Sequence, residues 1–280
     1  MIDQNLFKSK QGTWITNGDV LKALEKSGAA DTTILYIHSG LTLGMPNPAF
    51  SRSNLLECLF ETISMLAVPT LCMPAFTFSF CNGLDYNIQT SCSRMGALNE
   101  YVRKLPAAHR SIDPLMSTVV MGQHLDLVSD LGKSSIGEMS TFDKLHRLGS
   151  RVKFAFIGTS VQECFTYTHY IEERLNVPYR YNRSFTGRIT DGDRTWTDTY
   201  SLFVRYRGVV PSSDGLLEHS LTRSGALRVE RCGDASISCV PEPEAYDLVV
   251  SQLNHDIGCY LDHYPRDKNT DFAARQMVSL

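Results

Sequence analysis

Apolar positions along this chain switch repeatedly between helical and strand periods. Over 16–28, Val20, Leu21 and Leu24 recur at helical spacing, Thr16 or Asn17 can cap the segment, and Gly28 ends it. Residues 32–38 form a buried β-run, followed by the small-residue loop Ser39-Gly40-Leu41-Thr42-Leu-Gly44. Helical period returns over 53–65 with Leu55, Leu56, Leu59 and Ile63 on one side, and 70–74 is a second short strand. Strand, helix and strand in this order predict parallel pairing. The Asn-, Ser- and Gly-rich stretch 81–93 reads as a long loop. Helices are predicted over 96–105 and 141–148, with Gly149 as a stop, and β-runs over 116–121 and 152–157. From 183 to 207, polar and apolar residues alternate around Gly192, as in antiparallel hairpins. Helical segments over 216–227 and 244–253 complete the chain, and the last dozen residues are polar.

Composition narrows the class. The chain has 280 residues, 42% of them hydrophobic, and a formal charge of -3. That is enough for a sizeable core. The charge gives no basic bias of the kind nucleic-acid binding needs. Eight cysteines are scattered without a C-x-x-C pair, so a zinc ribbon is not expected and no metal is called for. The N-terminus lacks a basic, then apolar, leader, and no apolar run approaches membrane-spanning length. These features point to a cytoplasmic, reduced protein.

Candidate chemistry begins at Thr166-Tyr-Thr-His169-Tyr-Ile-Glu172. On a helix, positions i and i+3 share a face, so His169 and Glu172 can meet. An imidazole beside a carboxylate is the minimum needed to take a proton from a weak nucleophile. By itself the pair is common in helices without any such role. Three segments could meet phosphate: the 39–44 loop, the Arg110-Ser111 turn with Ser117 nearby, and 132–135. The last lacks the earlier glycine of a P-loop, because Leu127 holds that place. Nucleophile-elbow, H-E-x-x-H and dinucleotide-binding patterns are absent. Tyrosines 86, 167, 170, 179 and 181 are expected to cluster near the candidate site, where they could stack on a sugar or simply fill the core.

Taken in order, the motifs over roughly 14–255 resemble the aminoglycoside 3-N-acetyltransferase family. The resemblance runs through Tyr36-Ile-His38-Ser39-Gly-Leu, Met73-Pro74-Ala-Phe76-Thr77, Ser93-Arg-Met95-Gly96, Arg110-Ser111-Ile-Asp113-Pro114 and the strand ending Phe156-Ile157-Gly158. It is most specific at Thr166–His169–Glu172 and continues through Gly225-Ala-Leu-Arg228 and Gly233-Asp-Ala235. Two departures stand out: Asp113 where the family has His, and Gly40 where it has Ser.

The resemblance implies an α/β fold, an α/β/α sandwich-like antibiotic N-acetyltransferase fold with a mixed sheet and an additional antiparallel hairpin region. It implies one acetyltransferase domain over 1–265, which could be built as two packed lobes, with a loosely ordered tail over 266–280. The implied reaction is direct transfer of acetyl from acetyl-CoA to a primary amine, without metal. His169 would be the general base, Glu172 its orienting carboxylate, and Thr166 an oxyanion donor. His38, Ser39, Gly40, Leu41, Thr77, Arg110, Ser111 and Ser117 would meet the cofactor. Tyr86, Tyr170, Glu173 and Arg180 would meet the acceptor. Val177-Pro-Tyr-Arg180 resembles members associated with surface polysaccharides, so the expected acceptor is a small amino sugar, nucleotide-linked. The alternatives are an aminoglycoside acceptor or a non-catalytic module that binds CoA or a nucleotide sugar. Cys164 raises an acyl-cysteine route. No nucleic-acid or membrane partner is expected, and a homodimer is allowed.

Overall fold

The computed structural model describes residues 3–262, so the 266–280 tail lies outside the described residues. A seven-stranded mixed sheet forms the frame. Its central strand, Ile34–Ser39, runs parallel to Thr70–Pro74 on one side and to Val152–Ile157 on the other. Antiparallel strands extend both flanks. Thr118–Gly122 and His109–Arg110 lie beyond Thr70–Pro74, while Ala235–Pro241 and then Arg228–Cys232 lie beyond Val152–Ile157. The expected parallel pairing is therefore present at the centre only.

Period-two geometry sends successive side chains to opposite faces of the central strand. Leu35 and Ile37 join one apolar cluster, and Ile34 and Tyr36 the other. Helices Asn17–Lys26, Arg52–Ser64 and Ala97–Arg103 supply residues to the first face. Thr141–Leu148, Tyr167–Arg174, Leu216–Arg223 and Glu242–His255 cover the second. This is the expected α/β/α layering, with one core on each side of the sheet. Local chemistry sets the helix ends. Thr16 and Asp19 form a reciprocal capping box, Ser140 accepts from Asp143 N, and Gly149 turns the chain at φ +53.

The hairpin begins three residues and ends two residues earlier than its polar alternation suggested. Arg180–Asp191 pairs with Arg194–Arg205 throughout, so Arg180 stands directly opposite Arg205. Tyr86–Asn87 adds to it as a short parallel strand. That contact pins the middle of the 81–93 segment, which is thus not a free loop. Two features escape the sequence pattern. One is the N-terminal ribbon Asn5–Lys8 and Trp14–Thr16, joined by Met45–Pro46. The other is the Arg228–Cys232 edge strand with its neighbour Ala235–Pro241. The ribbon strands and Arg228–Cys232 are short or polar on their open side, and the buried run Ile237–Val240 is too brief and too mixed with Ser and Cys to be read as a strand. No helix of the described residues is long and apolar enough to cross a membrane.

Candidate active site

The site grows out of the carboxyl end of the central strands. Val152–Ile157 stops at Gly158, whose φ is +61 and whose Cβ, if present, would lie 2.8 Å from Thr42 N. The chain then forms one turn of helix, Val161–Cys164, closed by a box between Ser160 and Glu163. Phe165, at ψ 77, breaks this turn before the helix Tyr167–Arg174 begins. The break brings Cys164, Thr166 and His169 to a wall shared by two cavities.

One cavity, of about 380 Å³, is bounded by His38, Ser39, Phe76, Phe78, Met95 and Met116 and is largely apolar. The other, of about 280 Å³, is bounded by Gln162, Glu172, Arg180, Arg205, Ser212 and Tyr260, among others. His38 reaches the first cavity because the even-numbered residues of its strand face the His169 layer. Its ring stacks on Phe156 at 5.2 Å. Burial pushes the His38 pKa down to about 3, and its Nε2 has no hydrogen-bond partner among the described residues.

His169 sits in a charged hydrogen-bond cluster. Its Nδ1 is 3.0 Å from Glu172 Oε2. Arg180 Nη2 lies 2.8 Å from that same oxygen and 2.9 Å from the ring nitrogen. Tyr179 donates its hydroxyl to Glu172 Oε1 at 2.8 Å. The ionised Glu172 carboxylate can only accept, so its contact puts the proton on Nδ1, and the Arg180 guanidinium, which can only donate, then makes no hydrogen bond there. Nδ1–H is therefore assigned to Glu172, and Arg180 acts on the ring through its charge. That leaves the basic lone pair on Nε2. Burial, then the Arg180 charge, lower the His169 pKa despite the opposing pull of Glu172. Burial alone would raise Glu172, but Arg180, His169 and Tyr179 outweigh it and hold the carboxyl at about 2. The imidazole is thus kept neutral and oriented beside a permanent carboxylate, as a base requires. Cys164 touches both cavities, yet burial raises its thiol to about 12, so its thiolate is scarce and the acyl-cysteine route loses its nucleophile.

The expected cofactor residues separate into two groups. His38 and Ser39 line the apolar cavity, with Ser39 donating to Asn99 Oδ1 at 2.8 Å. Gly40 and Leu41 shape the adjoining loop. A Cβ on Gly40 would come within 2.5 Å of Gly158 O, which explains why the family's Ser is missing here. Thr77 is buried and bonded to Ser79, outside both cavity walls. The Arg110 turn is a correction. Arg110 donates to the carbonyls of Ala75, Ile88 and Ser91 and to Ser117 Oγ, and it stacks on Tyr86. Ser111 and Ser117 are fully buried. Arg110 holds the 88–91 segment to the sheet while also lining a separate cavity with Lys104 and His109, away from His169, whereas Ser111 and Ser117 face the interior. Asp113 belongs with them, accepting from Leu115 N, Met116 N and Ser135 Oγ.

Arg110→Ala is accordingly expected to lower unfolding free energy by about 2–4 kcal/mol, because it leaves buried carbonyls without their charged donor. The KM for acetyl-CoA should change little. Denaturant melts and steady-state kinetics check both halves. A large rise in KM with unchanged stability would restore the phosphate contact.

The expected acceptor residues also need correction. Tyr86 is fully buried, with its hydroxyl on Ser111 O, and Tyr170 is buried with its hydroxyl on Asp143. Neither ring face is open to a sugar. Glu173 accepts from Ser134 and packs against Gly137, away from both cavities. Arg180 does line the smaller cavity, but its Nη1 and Nη2 are spent on Phe203 O and Glu172. Sequence reading missed Phe78 and Arg205 on the cavity walls. Phe78 is an exposed aromatic held at φ +58, and Arg205 is one basic residue in a polar hairpin, so neither carries a spacing signal.

A neutral, carboxylate-oriented histidine between an apolar and a polar cavity, on an α/β/α frame, defines a group-transfer enzyme that brings two substrates to one base. The comparisons narrow this class. The sequence profile of aminoglycoside 3-N-acetyltransferase matches residues 64–254, and the chain belongs to that family. It is an acyltransferase that uses acetyl-CoA as co-substrate. AAC-IIIb in a binary complex with CoASH superposes with a TM-score of 0.73 at 18% identity, over 89% of this chain and 98% of that one. The YokD protein from Bacillus subtilis gives 0.71 at 16%, over 88% and 95%. AAC-VIa bound to sisomicin gives 0.70 at 14%, over 85% and 97%. No curated protein matches the chain.

Proposed function

We propose that the chain acetylates the primary amine of an amino sugar by direct transfer, with His169 as general base. The observation that carries this reading is the position of His169 in the walls of both cavities, with Nδ1 committed to Glu172. The apolar cavity suits the acetyl group and pantetheine arm, and the polar one suits the acceptor. The amine lone pair attacks the thioester carbon, a C–N bond forms, and the C–S bond breaks. His169 takes the amine proton and returns it to the departing sulfur, so CoA leaves as the thiol. Thr166, whose hydroxyl now donates to Cys164 O, stands in the walls of both cavities as a candidate oxyanion donor. The family name and the sisomicin complex favour an aminoglycoside as the acceptor. A nucleotide-linked amino sugar is the second reading, and the arginines of the polar cavity favour it.

The test is thiol release from acetyl-CoA across neutral amino sugars and aminoglycosides, followed by a pH profile with the best of them. A base must be unprotonated, so activity is present above the His169 pKa and lost below it. Because that pKa is lowered, the acid limb of kcat should fall below 6.5, the ordinary histidine value. A limb at or above it would remove His169 from the base role. Binding of acetyl-CoA without release to any amine would favour the non-catalytic module.

A further inference from the structure

The wall of the apolar cavity contains one side chain whose placement the folded protein alone does not account for. Phe78 stands there at φ +58 with 43% of its surface exposed. The left-handed region strains any residue that carries a side chain, a bulky one most, and glycine is what such a turn ordinarily takes. The turn is nevertheless firmly held. Thr77 is buried and bonded to Ser79 on one side. On the other, Phe80 is buried against Gly187 and meets the Tyr200 ring edge-on. The Phe78 carbonyl accepts from Asn82 Nδ2 at 2.6 Å. With both neighbours fixed, the Phe78 ring stays at the cavity and joins neither apolar cluster of the described residues. The free protein thus bears both a strained backbone and a half-wet aromatic ring. An occupant of the cavity would relieve the second.

The rest of the wall says which occupant. Pro74, Phe76, Met95 and Met116 make it mainly apolar, and His169 stands in it too. The occupant must bring its reacting atom to His169 and lay the remainder along aromatic and thioether side chains. A chain of methylenes, amides and sulfur meets that description, and a polyhydroxylated, many-charged ring does not. Aromatic rings pack well on such chains and on sulfur, and methionine adapts its shape to what lies against it. We propose that Phe78 packs on the pantetheine arm of acetyl-CoA, and that the strained turn holds the ring out for that contact. This inference rests on the acetyl-transfer reading above and adds to it a residue that sets affinity for the donor.

The experiment measures kcat and KM with two donors, acetyl-CoA and S-acetylpantetheine, which keeps the arm and lacks the nucleotide. The acceptor is the best amine of the screen above. Phe78→Ala and Phe78→Gly should each raise the KM of both donors about tenfold, with smaller changes in kcat and in the acceptor KM, because a contact made equally in ground and transition states acts on binding. Phe78→Tyr, which keeps the ring, should stay within about twofold of wild type. In denaturant melts of the free protein, Phe78→Gly should be at least as stable as Phe78→Ala, the order expected where the backbone is left-handed. A KM rise for acetyl-CoA alone would move the contact to the nucleotide and overturn the proposal. So would a rise in the acceptor KM with the donor values intact, unchanged donor KM in both variants, or a Phe78→Ala more stable than Phe78→Gly. Absence of thiol release from the wild type with every amine would instead overturn the acetyl-transfer reading. Calorimetric titration of acetyl-CoA into wild type and Phe78→Ala then still tests the contact, through the same tenfold loss of affinity or its absence.

Discussion

His169→Asn should lower kcat about 10²–10⁴-fold while leaving acetyl-CoA affinity and unfolding free energy nearly unchanged. The imidazole is about a third exposed, so its loss opens little core, and the Glu172–Arg180 pair survives without it. Nε2 is the nitrogen that this arrangement leaves free to take the amine proton. The asparagine amide can keep the Nδ1-type contact to Glu172 but cannot act as a base near neutral pH. Single-turnover thiol release, with calorimetry for acetyl-CoA, separates chemistry from binding. Near-wild-type turnover at saturating substrates would show that the amine reaches the thioester already deprotonated.

Glu172→Gln is expected to damage both fold and rate. Glu172 and Arg180 are each less than a tenth exposed, so the substitution strands a buried guanidinium. Removing one partner of a buried pair typically costs about 3–5 kcal/mol, and a loss of that size should appear in chemical denaturation. The Arg180 charge would then act on His169 unopposed, lowering its basicity further, and we expect kcat to fall roughly 10–100-fold, less than for His169→Asn. The sign of the pH dependence follows from the wild-type carboxyl. A folded-state pKa held at about 2 contributes stability that is present above the unfolded carboxyl value and lost as pH falls through the folded one. The stability gap between wild type and Glu172→Gln should therefore be widest near neutrality and narrow as the pH is lowered. A gap independent of pH would show that the ion pair contributes nothing net.

The sequence made the His169–Glu172 pair visible because both residues lie on one helix, where spacing alone places them together. It also made the central strands visible, since strands buried on both faces must be apolar. It could not distinguish a guanidinium aimed at solvent from one spent on backbone carbonyls. Arg110 and Arg205 look alike in the chain and each lines a cavity, yet Arg110 is bonded to three backbone carbonyls and Arg205 makes no ion pair or hydrogen bond among the described residues. Tyrosines misled for a related reason. Proximity to His169 in sequence says nothing about which face a ring takes, and Tyr170 turns its hydroxyl to Asp143 in the layer beneath. The arginine pair was hidden because its members are 25 positions apart and meet only through hairpin register.

Both cavities around His169 mix regular elements with connecting segments, and one part of each wall sets them apart. His38, Ser39 and Pro74, on the apolar side, sit on or beside strands of the central sheet. Pro211, Ser212, Tyr260 and Leu261, on the polar side, come from connecting segments beyond the hairpin and the last helix. Segments of that kind accept substitutions and changes of length far more readily than sheet strands do. On the assignment made here, selection can therefore rewrite the acceptor without disturbing the acetyl donor or the base. Lineages built on this frame should diverge first in what they modify, and only much later in how they do it.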